Sequence, residues 1–504
     1  MFKGKQPVFV ILVLLSSLIL SACGDSPTAT PAPAATTAAA ATTAAASGAA
    51  TTAASGAATT AAAAGAATTA AAAGAAPAAA STNPADYGLK PGKPYNGTKL
   101  NFLICCNTAT QFASLIDKTA KEFTAMTGIS VTWDNGPYNG FQQKLLTESV
   151  SGTGGFDNIA WVDSWGPGIK QFLLPLDDKI KEAKISLEDF SPAHITAASS
   201  NDGKSVLGIP FRGHAQVLFY RKDIFQKLGI QPPTTWQELE AVAKVIKEKN
   251  PATSPLSNYY AVNAGQNVFI FLNHLWGNGG DVFDQSMRPI FNNPAGVEAT
   301  TAYINLLKNG YSSPNSVTFN EGEAGTQFTT GKSAMFVAWS WYFSNFSNPK
   351  NVAPEVLNNI GFVPAPAWTG KAPISYSQIW PVGISKYSKN QDAAWEYLKW
   401  LTNTKVEKAV VLDKSKPEFD NVVAVHYSNL QDPEVNRVHQ GLQNTMLSVL
   451  KTARTEPLIP EWPQVESVLE VAINNMAGGK SVKETLDQAA KDVEAIMKKG
   501  GYYK

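Results

Sequence analysis

The sequence predicts an α/β protein in which two folded lobes follow a long low-complexity linker. Short apolar segments alternate with amphipathic segments at helical spacing, a pattern typical of a sheet of mainly parallel strands. Setting aside residues 1–97 leaves roughly 400 of the 504 residues, a length that suits two domains better than one. Polar and aromatic residues follow several predicted strands, and ligands in such folds bind beyond the carboxyl ends of strands.

Residues 1–22 are predicted to be a lipoprotein signal peptide. Lys3 and Lys5 precede an apolar run over residues 8–20, which is too short for a comfortable membrane span. An uncleaved anchor helix is the alternative interpretation. The sequence Leu-Ser-Ala-Cys, ending at Cys23, resembles a bacterial lipobox, which implies that this cysteine becomes the lipid-modified first residue of the mature chain. Acyl chains contribute about 0.8 kcal/mol per buried CH₂, so several of them would hold the protein at a membrane.

Residues 23–97 are predicted to be a disordered linker. From Gly24 to Ala85 the chain is almost only Ala, Thr, Gly, Ser and Pro, with Asp25 as its one charge and no large apolar side chain. Such a segment cannot bury a core. At flexible-coil dimensions its ends would lie about 40–45 Å apart, far enough to let the folded part rotate above a membrane.

The charge balance argues against a nucleic-acid partner. The chain has 41 Lys and Arg against 40 Asp and Glu, and no basic block stands out. Besides Cys23, the cysteines are Cys105 and Cys106. Adjacent cysteines close only a strained small ring, so two thiols or a vicinal disulfide are expected rather than a structural cross-link. They do not make a metal site, and neither a metal nor a cofactor is predicted.

The first part of the folded region alternates strand and helix. The first strand is followed by a helix whose predicted inner face consists of Phe112, Leu115, Ile116, Ala120 and Phe123. The other elements predicted here are strands over residues 100–104, 129–133 and 156–162 and a helix over 141–150.

Polar or aromatic residues follow each of these three strands. Because the carboxyl ends of parallel strands meet at one edge of the sheet, we expect these side chains to face a common ligand site. They are Asn107, Thr108, Asp134, Asn135, Asp163, Ser164 and Trp165.

The stretch Gly203–Lys249 is predicted to carry the chain from one lobe to the other. Residues 206–209 and 216–220 are rich in β-branched, aromatic and leucine side chains. We therefore predict two strands around a polar turn that contains Arg212 and His214.

Several helix ends are marked by capping residues. Gly229 is predicted to end the short helix after the second of these strands. Thr235 with Glu238, and Ser481 with Glu484, have the spacing of a capping box at the start of two later helices. The final helix is predicted to bury a stripe formed by Leu486, Ala490, Val493 and Met497.

The second half of the chain again alternates strand and helix. The predicted elements are a strand, loop and helix over 259–280, a helix over 294–310, and strands over 360–366 and 382–385.

In three segments the sequence resembles extracellular solute-binding proteins of the maltose-binding (family 1) class. They are FDNIAWVDSWGPGIKQFLLPLDD at 156–178, a run with LFYRKDIF and PPTTWQEL within 203–239, and F-x-x-GKSAM followed by an aromatic cluster within 328–342. The chain departs from the family at two places. Trp380 alone matches the usual Gly-Gly-Trp, and Glu456 stands where an arginine is expected.

The resemblance implies a type II periplasmic-binding-protein fold with two discontinuous lobes joined by a multi-strand hinge. The N-terminal lobe would comprise residues 98–219 and 378–425, and the C-terminal lobe residues 220–377 and 426–504. Three crossings between the lobes are expected, near Tyr220, Ser377 and His426.

The resemblance also implies a function. A lipid-anchored, extracytoplasmic and monomeric binding protein would capture an oligosaccharide or polyol between its lobes and deliver it to the permease subunits of an ABC importer. A secreted glycoside hydrolase or transglycosidase is the rival interpretation, and a solute-sensing subunit of a signalling system is a third. The chain has no G-x-S-x-G, H-E-x-x-H or P-loop motif, and no carboxylate pair singles itself out, so we do not predict an enzyme.

A sugar site needs flat apolar platforms for C–H faces and polar groups for hydroxyls. The resemblance places the aromatic wall and the loop at Gln266 and Asn267 in the cleft, and the remaining candidates come from strand ends and the crossover. Buried packing is the alternative role for each Trp, helix capping for Asp163, and turn stabilisation for Arg212 and His214. The predicted ligand-binding residues are Asn107, Thr108, Asp134, Asp163, Ser164, Trp165, Arg212, His214, Gln266, Asn267, Trp276, Trp339, Trp341 and Trp380.

Overall fold

The computed structural model describes residues 81–105, 109–138, 140–415 and 424–504. The predicted signal peptide, most of the predicted linker and the candidate residues Cys23, Asn107 and Thr108 lie outside the described residues. The part of the predicted linker that is described is structured, because Tyr87 and Leu89 are buried in the core. The folded part therefore begins before residue 98.

The strands number eight within the described ranges. They are β1 (Lys99–Cys105), β2 (Ser130–Gly136), β3 (Asn158–Ala160), β4 (Gly208–Arg221), β5 (Ser254–Ser257), β6 (Ser333–Trp339), β7 (Ile360–Pro364) and β8 (Ser377–Ile384).

Nineteen α-helices occur in the same ranges. The first nine are α1 (Ala109–Lys118), α2 (Thr124–Thr127), α3 (Phe141–Ser151), α4 (Gly166–Ile169), α5 (Asp177–Ala183), α6 (Pro192–Ala198), α7 (Lys222–Leu228), α8 (Trp236–Lys249) and α9 (Gln266–Gly277). The next ten are α10 (Pro294–Lys308), α11 (Glu321–Thr329), α12 (Tyr342–Ser347), α13 (Gln391–Leu401), α14 (Thr404–Val411), α15 (Tyr427–Leu430), α16 (Pro433–Val438), α17 (Leu442–Leu450), α18 (Trp462–Ala477) and α19 (Val482–Lys499). None of the helices in the described part of the chain combines the length and apolarity needed to cross a membrane.

The strands form one sheet in the order β2-β1-β3-β8-β4-β6-β5, with β7 also paired to β4. Strand β1 is parallel to β2 and β3, whereas β8 is antiparallel to β3 and β4. Residues 208–215 of β4 pair with β8, and residues 216–221 pair with β6 and β7. We call β2, β1, β3, β8 and residues 208–215 of β4 the first half-sheet. Residues 216–221 of β4 with β5, β6 and β7 are the second half-sheet.

The prediction of two strands within 206–220 is wrong, because β4 is a single strand of 14 residues. Its pairing with β8 shifts register between Pro210 and Arg212. Proline has no N–H to give to the ladder, and a bulge lets the strand pass it and continue. The residues assigned to a turn, including His214, are therefore ladder residues.

Strands β4 and β8 are held close beneath a buried indole. A Cβ on Gly208 would lie 2.5 Å from the Trp161 ring, and one on Gly383 would lie 2.5 Å from the carbonyl oxygen of Leu207. Trp161 is fully buried, so only glycine at these two strand positions leaves it room. Trp161 directly follows β3, so its contact with these glycines determines how closely the end of β3 approaches β4 and β8.

The helix after β1 does not keep one face inward along its whole length. Phe112, Leu115 and Phe123 are buried as predicted, but Ala120 is exposed and Thr119 is buried in its place. Residues Thr119–Phe123 form a π-helical turn. The wider turn rotates the following residues about the helix axis, which moves Ala120 to the surface.

The predicted caps at two helices are confirmed. Gly229 ends α7 with a left-handed φ of 66°, and Thr235 and Glu238 form both hydrogen bonds of a capping box on α8. At the start of α19 Ser481 accepts from the backbone N–H of Glu484, but Glu484 does not bond back to the Ser481 N–H, so only half of the predicted capping box forms. The predicted stripe on α19 is buried.

Candidate functional site

Two buried tryptophans from different elements of the first half-sheet contact each other. Trp165 follows β3, Trp380 lies in β8, and their ring centroids are 5.8 Å apart in an edge-to-face arrangement. Tyr138 extends the group, with its ring 5.1 Å from that of Trp165. We call the surroundings of the Trp165–Trp380 pair the central site.

Arg212 of β4 lies against the same pair. Its guanidinium is 5.4 Å from the centroid of Trp380 and 5.6 Å from that of Phe112, so it sits between two aromatic rings. The residue is 8% exposed, and its Nε has no hydrogen-bond partner among the described residues. Burial lowers the pKa of Arg212 to about 9, which leaves the side chain charged at neutral pH.

His214 is buried two residues further along β4. Neither of its ring nitrogens has a hydrogen-bond partner in the described ranges. Burial, with smaller contributions from Arg212 and His194, holds the pKa of His214 well below its usual value, so the ring is neutral. Its ring lies 6.4 Å from Trp339 of the second half-sheet.

Asp163 opens the short 3₁₀ turn that carries Ser164 and Trp165. Its Oδ1 accepts from the backbone N–H of Ser164 at 3.0 Å, which is a local cap, but its Oδ2 has no partner in the described part of the chain. The side chain is fully buried. Burial, reinforced by the Glu456 carboxylate, raises the pKa of Asp163 well above its usual value.

Glu456 and Glu466 reach the central site from the C-terminal part of the chain. Helix α18 packs against the turn formed by Asp163–Trp165. Burial raises the pKa of Glu456, and burial together with the Glu456 charge raises the pKa of Glu466 further. A cavity of about 100 Å³ lies beside Trp165, lined in part by Ser164, Pro460 and Pro463.

The three other candidate tryptophans occupy different surroundings. Trp339 packs its ring edge-to-face against Phe269 and Tyr376, at 5.4 and 5.0 Å. Trp341 is half-buried and stacks on Tyr342 at 4.0 Å.

Trp276 is enclosed on one face by a cation. The guanidinium of Arg454 lies 4.6 Å from its ring centroid, and its Nε1 donates to Asp281 at 3.2 Å. Trp276 therefore belongs to a packed group beside the central site, in contact with Tyr376 at 6.3 Å.

The remaining candidates already have protein partners. Asp134 pairs with Lys144 at 2.8 Å. The Nδ2 of Asn267 donates to two backbone carbonyls, and only its Oδ1 lacks a partner within the described residues. Gln266 begins α9, and its Oε1 accepts from the backbone N–H of Glu321. Ligand contacts by these three residues stay predictions.

Several residues of the site were not predicted. Tyr376 contacts Phe269, Trp276 and Trp339, and it directly precedes the crossing expected at Ser377, so its position was a usable signal. Glu456 was noted only as a departure from the family. Glu466 gave no signal, because an acidic residue in a helix is usually solvated.

The arrangement combines aromatic rings with buried polar groups that lack protein partners. Arg212 lies against Trp380, His214 lies two residues further along β4 with its ring 6.4 Å from Trp339, and Asp163 lies two residues before Trp165. Such groups can donate to and accept from hydroxyls while C–H faces rest on the rings. In the described ranges no three His, Cys, Asp or Glu side chains are placed to hold a metal ion. Cys105, at the end of β1, is disulfide-bonded.

Comparisons with known proteins place the chain among transport proteins. A family model described as "Bacterial extracellular solute-binding protein" matches residues 107–408. A probable amino-acid ABC transporter periplasmic-binding protein of Sinorhizobium fredii is 26% identical over 427 residues, which covers 82% of this chain and 92% of the relative. A maltooligosaccharide ABC transporter solute-binding lipoprotein of Streptococcus pneumoniae is 25% identical over 401 residues, covering 77% and 86%.

A solved structure confirms the predicted fold. The crystal structure of an ABC transporter solute-binding protein from Agrobacterium radiobacter, in complex with ribitol, matches with a TM-score of 0.66 at 24% identity. The match covers 81% of this chain and all of the other. The fold is therefore the type II periplasmic-binding fold, with two lobes joined by several strands. Because the family model also spans more than half of the sequence, the chain belongs to the bacterial extracellular solute-binding proteins.

Proposed function

We propose that this protein captures a carbohydrate, either an oligosaccharide or a polyol, at the central site and delivers it to an ABC importer. The observation that carries the proposal is the set of buried, unpartnered polar atoms around the Trp165–Trp380 pair: Asp163 Oδ2, Arg212 Nε and the His214 ring nitrogens. Buried polar groups are normally hydrogen-bonded, so a ligand with many hydroxyls is their natural partner.

Family membership limits the proposed function in two ways. As a member of a solute-binding family it is not an enzyme, which removes the glycoside hydrolase alternative. The family is extracellular, so the protein acts outside the cytoplasm. The relatives' names include a maltooligosaccharide, ribitol and an amino acid as solutes, and the choice among such classes therefore depends on the side chains of this site.

The proposed ligand contacts follow the chemistry of each group. Trp165 and Trp380 supply edge-to-face rings against which an apolar sugar face can stack. Arg212 donates to hydroxyl or ring oxygens, and Asp163 accepts from hydroxyls. The further contacts in the proposal are those of Asn107, Thr108, Asp134, Ser164, His214, Gln266, Asn267, Trp276, Trp339 and Trp341.

The proposed lobes comprise residues 98–219 with 378–425, and 220–377 with 426–504. The structured residues before 98 join the first lobe, where the Lys90 N–H donates to Glu396. A ligand that contacts both lobes only when they are closed favours the closed state by the difference in its affinity for the two states. The closed form is then what the permease recognises. A lipid on Cys23 and a monomeric state complete the proposal; the lipid would keep the protein beside its membrane partner.

Isothermal titration calorimetry of the mature protein tests the ligand class. The panel consists of maltose, trehalose, ribitol, mannitol and xylo-oligosaccharides, and we expect at least one Kd of micromolar order, about −8 kcal/mol. Trp380→Leu should weaken that binding at least tenfold. Trp395→Leu is the control, because Trp395 is equally buried but lies in α13 under Lys179, away from the central site. If no member binds below millimolar while a peptide or ferric ion does, the proposal fails.

A further inference from the structure

Three carboxylates converge beside the tryptophan pair. They are Asp163, Glu456 and Glu466, here called the acidic cluster. Asp163 is fully buried and Glu456 is 2% exposed. Glu466 is half-buried in the first turns of α18, with its carboxylate against Gly265 of the loop before α9. The cluster therefore joins the first half-sheet to the C-terminal helices.

None of the Lys and Arg side chains in the described part of the chain forms an ion pair with the acidic cluster. Arg454, two residues before Glu456, is bound to Asp281 at 2.8 Å instead. Lys170 acts on Asp163 only weakly, below the effects of burial and of Glu456. Asp163 Oδ2 and Glu456 Oε1 have no hydrogen-bond partner among the residues that the structure describes. With no balancing cation in the described ranges, burial raises the pKa of all three carboxyl groups and so disfavours their ionised form, and Glu456 and Glu466 hydrogen-bond to each other. A cationic group arriving beside Asp163 Oδ2 and Glu456 Oε1 would favour the ionised form.

We propose that the solute carries a protonated amine, which the acidic cluster binds while the sugar or polyol body rests on the Trp165–Trp380 pair. The inference rests on the proposed function and narrows its ligand class to amino sugars and amino alditols. An ammonium group offers three donors and a positive charge to a cluster of acceptors, whereas each hydroxyl offers one donor and no charge. The hydroxyls of the same ligand then face Arg212, whose guanidinium lies 5.4 Å from the centroid of Trp380.

The number of protons released on ligand binding provides a second test of this inference. The groups facing the cluster are Lys170, Glu470 and the phenols of Tyr138 and Tyr376, of which only the lysine is basic. Burial and mutual repulsion raise the pKa of the carboxyl groups, most strongly for Asp163 and Glu466. An arriving ammonium favours the ionised carboxylates, so its binding should release protons to the buffer. A neutral sugar of the same shape should release none.

The test uses calorimetry of the whole mature protein with ligand pairs that differ in one group. Glucosamine disaccharide is compared with cellobiose, and glucamine with sorbitol; the N-acetylated disaccharide keeps the shape but loses the charge. Titrations in two buffers of different ionisation enthalpy count the protons released. We expect the amine of at least one pair to bind at least tenfold more tightly than its neutral partner, with proton release for the amine alone.

Variants assign the effect to the cluster. Glu456→Gln and Asp163→Asn should reduce the amine preference to within about threefold and abolish proton release. Glu461→Gln is the matched control, because this residue begins the same helix but binds the Tyr502 hydroxyl at 2.9 Å. It should leave the preference unchanged.

Three results would overturn the inference, and a fourth would overturn the proposed function as well. Neutral sugars that bind as tightly as their amines, or a Glu456→Gln protein that keeps its preference, remove the amine claim and leave carbohydrate capture in place. Putrescine binding as tightly as the amino sugars would show that the polyol body is not recognised. If an amino acid binds and no sugar, polyol or amino sugar does, the proposed function itself falls.

Discussion

Two buried arginines in the same strand provide a direct test of how the central site is built. Arg212 lies between Phe112 and Trp380 with no carboxylate partner within the described part of the chain, whereas Arg221 donates from Nε and Nη2 to Asp223 at 2.8 and 2.6 Å. An unpaired buried charge opposes folding, and removing one member of a buried ion pair leaves the other charge uncompensated. We therefore predict that Arg212→Met stabilises the ligand-free protein and that Arg221→Met destabilises it.

The size of the first effect follows from the electrostatics of the site. A pKa of Arg212 lowered from 12.5 to about 9 corresponds to roughly 5 kcal/mol of penalty on the charged form. Methionine restores most of the apolar packing between the two rings but loses a cation–π contact worth about 0.5–2 kcal/mol. The difference sets an upper limit of about 3–4 kcal/mol on the gain in the free energy of unfolding expected for Arg212→Met.

Urea unfolding followed by circular dichroism, on both variants and the wild type, measures these differences. The Arg212→Met midpoint should rise at unchanged slope, and binding of any sugar found by calorimetry should weaken at least tenfold. Arg221→Met should lose about 1–2 kcal/mol, because the Asp223 carboxylate loses its partner. An Arg212→Met protein that unfolds earlier than the wild type would refute the view that this arginine is held unpaired for its ligand.

Three further predictions concern the fold. Gly208→Ala should cost about 1–3 kcal/mol by overpacking against the buried indole, measured by urea unfolding, whereas Gly168→Ala, whose Cβ meets nothing closer than 4.0 Å, should be nearly neutral. Burial alone would lower the pKa of His426, but the Glu407 carboxylate 3.1 Å away outweighs it and the pKa is raised. The stability difference between wild type and His426→Gln should therefore be full below about pH 6.5 and disappear as pH rises through the raised pKa; a difference that grows with pH contradicts this. Thr235→Ala should cost about 1 kcal/mol in the same assay, through loss of the capping box on α8; no loss would show that the cap is redundant.

The sequence correctly predicted the helix ends and the buried helix face that depend only on residues close in sequence. The Gly229 terminus, the capping box at Thr235 and the buried stripe on α19 depend on residues within one or two turns of each other. The two failures have non-local or irregular causes. Strand β4 passes Pro210 through a bulge that depends on its pairing with β8, and the π turn at Thr119–Phe123 breaks the spacing on which a periodic pattern relies.

The sequence predicted those site residues that lie at a strand end or at an expected crossing between the lobes. Trp165 and Asp163 follow a strand of a parallel sheet, and Trp380 lies where the family crosses between lobes, so these three come together as expected. The acidic cluster was not predictable, because Glu456 and Glu466 reach Asp163 only through the packing of α18 against a turn almost 300 residues earlier in the sequence. No local pattern marks such a contact.

Strand β4 belongs to both half-sheets without interruption, and this limits how the chain can be divided. A fragment ending at Arg221 would carry a strand whose two neighbouring strands, β8 and β6, are both missing from the fragment. Neither half can then complete its own hydrogen-bond ladder. The protein should consequently unfold as one cooperative unit. Any bending between its halves must come from small changes in backbone angles along the continuous strands, because no loop at β4 can act as the hinge.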